Sequence, residues 1–459
     1  MEHLMAVILA AGEGKRMKSK KAKVLHEVCG MPLVEWVYQS VKDAGVNEVV
    51  LVVGHKAEDV KKHMGDKAFY ALQEEQLGTG HAVMQAEEFL SNKDGYVMVL
   101  CGDTPLISSE TISDTIDFHK KNKNSATIIT ADMDDPTGYG RIVRNKDDNV
   151  LKIVEHRDTT PEEREIVEIN SGMYCFNIRD LRSALKELDN KNSQGEYYLT
   201  DTIEILINKG MKVGAVKVTD HNEILGINDR IQLSKASEIT RKRILNRLMA
   251  DGVTIIDPGS TYIDQGVKIG IDTVIYPSTV IEGKTEIGED CIIGPGSRVV
   301  NCKIADKVEV KNSVILESSI DDETKVGPFA YVRPGSVIGK KVKIGDFVEV
   351  KKSVIGDKTK ISHLTYVGDA EIGKNVNLGC GVVVVNYDGQ KKNKTIVGDN
   401  AFVGCNVNLI SPVEVKNSAY VAAGSTITEE VPENALAIAR NRQVIKENWV
   451  TKKGILKKD

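Results

Sequence analysis

Aliphatic residues recur every six positions through much of the C-terminal half of the chain. From Ile269 the steps land on Ile275, Ile281, Ile287, Ile293 and Val299. The series slips once, resumes at Val308 and runs through Val314, Ile320, Val326, Val332, Ile338, Ile344 and Val350. One-residue slips lead to Ile355, Ile361 and Val367, then to Ile372, Leu378 and Val384. A last run holds Val397, Val403, Leu409, Val415, Val421 and Ile427. A period of six fits neither a helix nor a lone amphipathic strand. It predicts a parallel β-helix over residues 253–427, each hexad a short strand plus a corner, with the aliphatic residue stacked inward on its copy one coil later. Gly often follows the aliphatic position, as in Ile344-Gly345 and Ile355-Gly356. Gly, Asn and Asp are expected at corners, where the backbone takes unusual φ/ψ.

The first 228 residues follow another pattern. Residues 5–10 read as a buried strand that runs into a glycine loop. Residues 33–44 and 80–90 read as helices, and 48–53, 96–100 and 126–131 as strands. Such alternation predicts an α/β, Rossmann-like domain with a mostly parallel sheet, whose ligands bind at the carboxyl ends of the strands. Residues 229–250 carry Ile244, Leu245 and Leu248 at helical spacing, with Asn228 or Asp229 able to cap the start and Gly252 just past the end. A helix of that length spans roughly 30 Å, enough to give each domain its own active site. The expected domains are 1–229, a linker helix over 230–250, and 251–459.

The chain has 459 residues and a net charge of −5. That length predicts about two to four domains. The mild acidity gives no reason to expect nucleic acid or membrane as a partner. The apolar run at residues 5–11 is too short to span a bilayer. Seven cysteines without a C-x-x-C pair argue against a disulfide framework or a zinc site and suit a reducing cytoplasm.

Candidate chemistry gathers at two places. Residues 12–23 hold six Lys/Arg against one Glu, around Gly12 and Gly14. Small residues let backbone N–H groups approach phosphate oxygens, and the cations neutralise them. The loop is neither the dinucleotide fingerprint nor a Walker loop. Asp103 closes the strand near residue 100; it is either a Mg²⁺ ligand beside the loop or a cap for the next helix. In the hexad array, Arg333 and Lys351 are cations among small and aliphatic residues. His363 and Tyr366 stand where corner residues would serve. Residues 386–394 interrupt the hexads and predict an extruded loop, and residues 440–459 carry seven Lys/Arg against two acids.

The first region resembles the nucleoside-triphosphate:sugar-1-phosphate nucleotidylyltransferases. The resemblance rests on Leu9-Ala10-Ala11-Gly12-x-Gly14-x-Arg16-Met17 with Lys23, Gly102-Asp103, Gln73 with Gly78-Thr79, Gly138 to Arg141, Glu155, Glu168 to Gly172, and Gly226 to Asp229. The hexads resemble the left-handed β-helix acyltransferases, whose rods pack as trimers with the acyl donor between them. Both together are similar to the bacterial family of bifunctional N-acetylglucosamine-1-phosphate uridyltransferase/glucosamine-1-phosphate N-acetyltransferases. That resemblance implies synthesis of UDP-N-acetylglucosamine from UTP, acetyl-CoA and glucosamine-1-phosphate with Mg²⁺, by a cytoplasmic homotrimer acting on small molecules. It implies that Leu9, Ala10, Ala11, Gly12, Gln73, Gly78 and Thr79 surround the uridine, while Arg16 and Lys23 meet the phosphates. Gly140, Glu155, Asn170 and Asn228 would hold the sugar nucleotide, and Asp103 with Asn228 the Mg²⁺. Cys101 departs from the Tyr found there in some relatives. In the second half, Arg333 and Lys351 would bind the sugar phosphate, Tyr366 and Asn377 would lie beside the sugar, and His363 would be the base. Asn386, Tyr387, Ala423 and Arg440 would line the acetyl-CoA site, near Cys380 and Cys405. The rival readings are a nucleotidylyltransferase whose β-helix only oligomerises it, and a non-catalytic scaffold. His363, the 386–394 loop and the basic tail argue against the first. Arg16, Lys23, Asp103 and Asn228 together argue against the second.

Overall fold

A computed structural model describes residues 3–455. The chain divides into two compact units, the first ending at Arg241 and the second beginning at Lys242.

The first unit is built on one sheet. Its strand order is Val213–Lys217, Ala126–Asp132, Glu168–Asn177, Gly95–Cys101, His3–Ala10, Glu48–Val53, Phe69–Leu72. All run parallel except Glu168–Asn177, which is antiparallel to both neighbours. His3–Ala10 lies centrally and is apolar on both faces: Met5 and Val7 join one core cluster, Ala6, Ile8 and Ala10 the other. Burial on both sides explains its unbroken apolar run. The helix expected over 80–90 is instead two, Thr79–Met84 and Glu87–Leu90. Gln85 and Ala86 bond to carbonyls three residues back, and that tighter turn breaks the α-helical ladder.

The long helix spans Arg230–Ala250. Asp229 caps it, its Oδ1 accepting from the N–H groups of Ile231 and Gln232 at 2.9 Å each. Asn228 is therefore free for other work. Within the first unit, Ala236, Leu233 and Ile239 pack on Val28, Leu33, Leu106 and Ile227. The unit boundary falls inside this helix. Among the described residues, no helix is long and apolar enough to cross a membrane.

The second unit is a parallel β-helix of three sheets, with 11, 10 and 9 strands of mostly two or three residues. Ile275, Ile293, Val310, Val326, Ile344 and Ile361 stack on one face. Ile281, Val299, Ile315, Val332 and Val350 stack on the next. The series expected from Val308 to Val314 needs correction. The inward residues there are Ile304, Val310 and Ile315, reached by steps of five, six and five from Val299. Val314 is only half-buried and pairs with Tyr331.

Val308 is buried for a different reason. It belongs to a second inward position, two residues before each aliphatic one. That position holds Thr273, Thr279, Thr285, Thr324 and Thr359, all fully buried. Their hydroxyls stitch coils together: Thr359 Oγ1 donates to Gly373 O at 2.7 Å and accepts from Val376 N at 3.1 Å. A buried hydroxyl satisfied on both sides carries no desolvation penalty.

Some glycines after the aliphatic residues, such as Gly294 and Gly327, have positive φ as expected, but Gly345 and Gly356 answer a different need. A Cβ on Gly345 would lie 1.9 Å from Ser362 O, and one on Gly356 would lie 2.5 Å from Gly373 C. Close approach of coils, not left-handed backbone, excludes a side chain there. The left-handed corners are taken by Asn and Asp as expected, and also by Phe329, Lys341, Phe347 and Leu364.

Two candidate active sites

In the first unit the glycine loop and the ends of the central strands meet at a cleft of about 250 Å³. Leu9, Ala10, Ala11, Gly12, Lys23, Gln73, Gly78, Thr79 and Asp103 all line it. Gly14 has φ +65°, and a Cβ there would lie 2.6 Å from Lys23 Cβ, so the loop can fold over Lys23 only with glycine at this point. Lys23 Nζ pairs with Asp103 Oδ2 and donates to Asn228 Oδ1 at 3.1 Å. Both side chains of the ion pair are mostly buried, 13% and 20% exposed. Asp103 does not cap a helix; Ser108 caps the helix Ser109–Asn122.

Gln73 is buried and donates through Nε2 to Gly78 O at 3.2 Å, with His81 Nδ1 at 3.1 Å. Gly78 has φ +113° and leaves room only for hydrogen, since a Cβ would lie 2.5 Å from Tyr197 O. Thr79 Oγ1 accepts from Leu199 N at 3.1 Å, tying the cleft wall to the segment before the helix Asp201–Asn208.

A second group adjoins the cleft through Cys101, which lines it and donates from Sγ to Gly172 O at 3.5 Å. Gly172 N donates to Asn170 Oδ1 at 3.1 Å, and Asn170 N donates to Gly140 O at 2.9 Å. Asn170 Nδ2 donates to the buried Tyr174 hydroxyl at 2.8 Å. Glu155 Oε1 accepts from Thr200 Oγ1 at 3.2 Å. Burial pushes the Glu155 carboxyl above its ordinary range. Burial, reinforced by Glu155, pushes Asp201 up to about 6. Burial and the nearby Asp103 push the Cys101 thiol up to about 12, so it is not a nucleophile. Arg16 lies apart, exposed on the turn Lys15–Met17. Gln76 and Glu196 also line the cleft and were not legible from the motifs.

The β-helix carries the second group on its outside. Arg333 Nη1 donates to Glu349 Oε1 at 2.8 Å, with the guanidinium over the Tyr331 ring. Lys351 Nζ pairs with Asp369 Oδ2 at 2.7 Å, and Asn386 Nδ2 donates to the same oxygen. Gly368 makes room for this group: a Cβ there would lie 2.4 Å from the Tyr366 hydroxyl and 2.9 Å from Asn386 Nδ2. The loop between Val383–Val385 and Thr395–Val397 is extruded as expected, and Asp388 holds it through Gln390 N, Lys391 N and Asn393 Nδ2. It brings Lys392 and Lys394 to a cavity of about 520 Å³ that Lys351 and Lys352 also line. The Lys351 ammonium beside it lowers the Lys392 pKa. Lys392 and Asp369 were missed in the sequence. A search for charged residues one coil apart would have found Asp369, 18 positions after Lys351.

A corner ladder runs beside this group. Asp346 pairs with His363 in register, and the ladder continues through Cys380 and Cys405 to Ala423. His363 Nδ1 lies 2.5 Å from Asp346 Oδ1. Arg440 reaches Gly424, next to Ala423. Tyr387 turns into its own loop, its hydroxyl donating to Gly389 O at 2.7 Å. Asn377 is not brought beside Tyr366. It pairs with Lys360 and Phe402 in one sheet, while Tyr366 pairs with Glu349 and Val383 in another. Among the described residues, none of the seven cysteines forms a disulfide. The tail is exposed from Arg440 and includes one short helix, Trp449–Lys452; residues 456–459 of the expected basic tail lie outside the described residues.

Comparison with known proteins fits this division. The nucleotidyl transferase family model matches residues 5–223. The bacterial transferase hexapeptide (six repeats) model matches 266–301, and the GMPPB C-terminal domain model matches 314–399. The bifunctional protein GlmU of Acetivibrio thermocellus is 78% identical over 459 residues, all of both chains. That of Clostridium botulinum is 58% identical over 454 residues, 99% of each chain. That of Caldanaerobacter subterraneus is 59% identical over 450 residues, 98% of each. A solved putative glucose-1-phosphate thymidylyltransferase from Bacillus anthracis aligns at 23% identity and TM-score 0.43, covering 52% of this chain and 95% of its own. End-to-end identity with several bifunctional relatives, on top of an α/β unit and a hexapeptide β-helix, means that the chain belongs to the GlmU family of bifunctional enzymes, nucleotidyltransferase and acetyltransferase in one polypeptide.

Proposed function

We propose that the protein acetylates glucosamine-1-phosphate from acetyl-CoA and then transfers uridylyl from UTP to the product, giving UDP-N-acetylglucosamine and pyrophosphate. The carrying observation is the meeting of Lys23, Asp103 and Asn228 at the strand ends beside the glycine loop, 80 and 205 positions apart in sequence. That arrangement supports handling of a triphosphate next to a divalent cation.

In uridylyl transfer, a phosphate oxygen of N-acetylglucosamine-1-phosphate attacks the α-phosphorus of UTP, and the bond to pyrophosphate breaks. The nucleophile is already anionic, so no general base is needed; positioning and charge neutralisation supply the catalysis. The backbone of Leu9, Ala10, Ala11 and Gly12, with Gln73, Gly78 and Thr79, holds the uridine. Lys23 and Arg16 neutralise phosphate charge, Arg16 from the exposed turn. Gly140, Glu155 and Asn170 hold the sugar.

The residues present fit Mg²⁺. Asp103 Oδ2 and Asn228 Oδ1 already converge on one positive point, the Lys23 ammonium. A carboxylate and an amide oxygen suffice for an ion that keeps several waters and takes substrate phosphates as ligands. When bound, Mg²⁺ supplies charge compensation for the phosphates.

In acetyl transfer, the glucosamine nitrogen attacks the thioester carbonyl and its proton passes to His363; the carbon–sulfur bond then breaks, and the departing coenzyme A thiolate takes that proton and leaves as the thiol. Arg333 and Lys351 hold the sugar phosphate, with Lys392 beside them. Tyr366 and Asn377 contact the sugar. Asn386, Tyr387, Ala423 and Arg440 line the acetyl-CoA site. Tyr366 and Asn377 stand on different sheets of one chain, which supports a site shared between neighbouring rods of a homotrimer. The exposed, stacked Phe329 and Phe347, ring centroids 5.5 Å apart, supply apolar surface for that packing. Seven cysteines outside any disulfide suit a cytoplasmic enzyme.

The domains are read as 1–229 and 251–459, joined by 230–250. Incubation with glucosamine-1-phosphate, acetyl-CoA, UTP and Mg²⁺ is expected to yield UDP-N-acetylglucosamine, pyrophosphate and coenzyme A. A folded fragment of residues 1–229 that performs no uridylyl transfer with Mg²⁺ contradicts the reading.

A further inference from the structure

The corner ladder places Asp346 directly below His363. The two residues pair in register on consecutive coils, Lys343–Asp346 and Lys360–His363. The corner itself is rigid: Leu364 N donates to Asp346 O at 3.0 Å, and Ser362 crowds Gly345 with no space for a side chain. Asp346 Oδ1 lies 2.5 Å from His363 Nδ1 and does not touch Nε2. Its carboxyl is held below the usual range by that hydrogen bond first, with help from His363 and Lys343 charge. It is therefore an acceptor, and it can bond only a protonated Nδ1.

We propose that Asp346 is the positioning residue of the acetyl-transfer site: it holds the proton on Nδ1 of His363 and so leaves the Nε2 lone pair for the attacking amine. The inference rests on His363 being the base. A neutral imidazole with the other tautomer would present N–H to the amine and accept nothing. A carboxylate on Nδ1 fixes both the tautomer and the ring plane, as in the Ser-His-Asp arrangement. The carboxylate itself stays ionised; the proton taken from the amine rests on Nε2. Stability does not account for the pair. Both side chains are substantially exposed, 52% and 37%, and exposed ion pairs contribute little.

The test is a double-mutant cycle on the full-length enzyme. D346A is expected to lower acetyl-transfer kcat about 10- to 100-fold, the scale of losing a partner that orients a functional imidazole. KM for glucosamine-1-phosphate and for acetyl-CoA should not move, nor should uridylyl transfer. In an H363A background the same change should cost nothing further, because Asp346 acts only through the imidazole. D346N keeps an acceptor oxygen and should recover most of the rate. Normal kcat in D346A with an impaired H363A overturns the role of Asp346 alone, as does a double variant whose loss equals the product of the two single losses. Normal turnover in H363A removes the base and this inference together.

Discussion

The two units place their functional residues by opposite means. In the first, one chain gathers a site from distant parts of the sequence, because parallel strands end on a common edge and deliver Ala11, Cys101 and Asp103 there. In the second, residues reach the site by translation along a repeat. Asp346 and His363 are neighbours because they are one coil apart, and so are Lys351 and Asp369. A sheet edge converges on a concave cleft. A solenoid presents a convex flank, which excludes water only when another surface covers it. The first arrangement should work within one chain, and the second should depend on its neighbours.

The strongest way to break this comparison is Asp103→Ala. Losing the carboxylate leaves Lys23 without its ion-pair partner and removes the ligand proposed above for Mg²⁺. Uridylyl transfer should vanish while acetyl transfer stays nearly intact, both assayed on one preparation. Equal loss of both in a folded variant would show that the units are not independent.

His363→Ala probes the other side. Acetyl transfer should fall by roughly 10²–10⁴, the usual worth of a general base, with substrate binding little changed. If the residue only shapes a corner, melting temperature drops and turnover persists.

Ile344→Ala tests the packing of the rod. The side chain is fully buried between Val326 and Ile361, so truncation should cost about 2–5 kcal/mol. Urea unfolding followed by acetyl transfer should shift, while the uridylyl-transfer midpoint stays in place.

The smallest effect concerns Asp201. Its carboxyl is pushed from 3.8 up to about 6, mainly by burial. The folded state then holds a proton that the unfolded state releases, so this contribution is full below about pH 4 and is lost as pH rises through about 6. The first unit should unfold at lower denaturant near pH 7 than near pH 5. Asp201→Asn should flatten that slope, and an unchanged slope would reject the assignment.

Hydrophobic periodicity alone determined the architecture. Residues buried on both faces made His3–Ala10 legible as a central strand, and hexads made the β-helix legible, because each inward position must be apolar wherever a coil is buried. The same logic failed from Val308 to Val314. Two positions per hexad are buried there, and a one-letter period cannot tell them apart. Motifs named Lys23, Asp103 and Asn228; only the fold decided that the Asp103 and Asn228 oxygens meet on the Lys23 ammonium, since a hydrogen bond over 205 positions leaves no local trace. Lys392 and Asp346 were invisible for the complementary reason. Each is an ordinary charged residue in sequence; the stacking of coils set Asp346 against His363, and the extruded loop carried Lys392 beside Lys351.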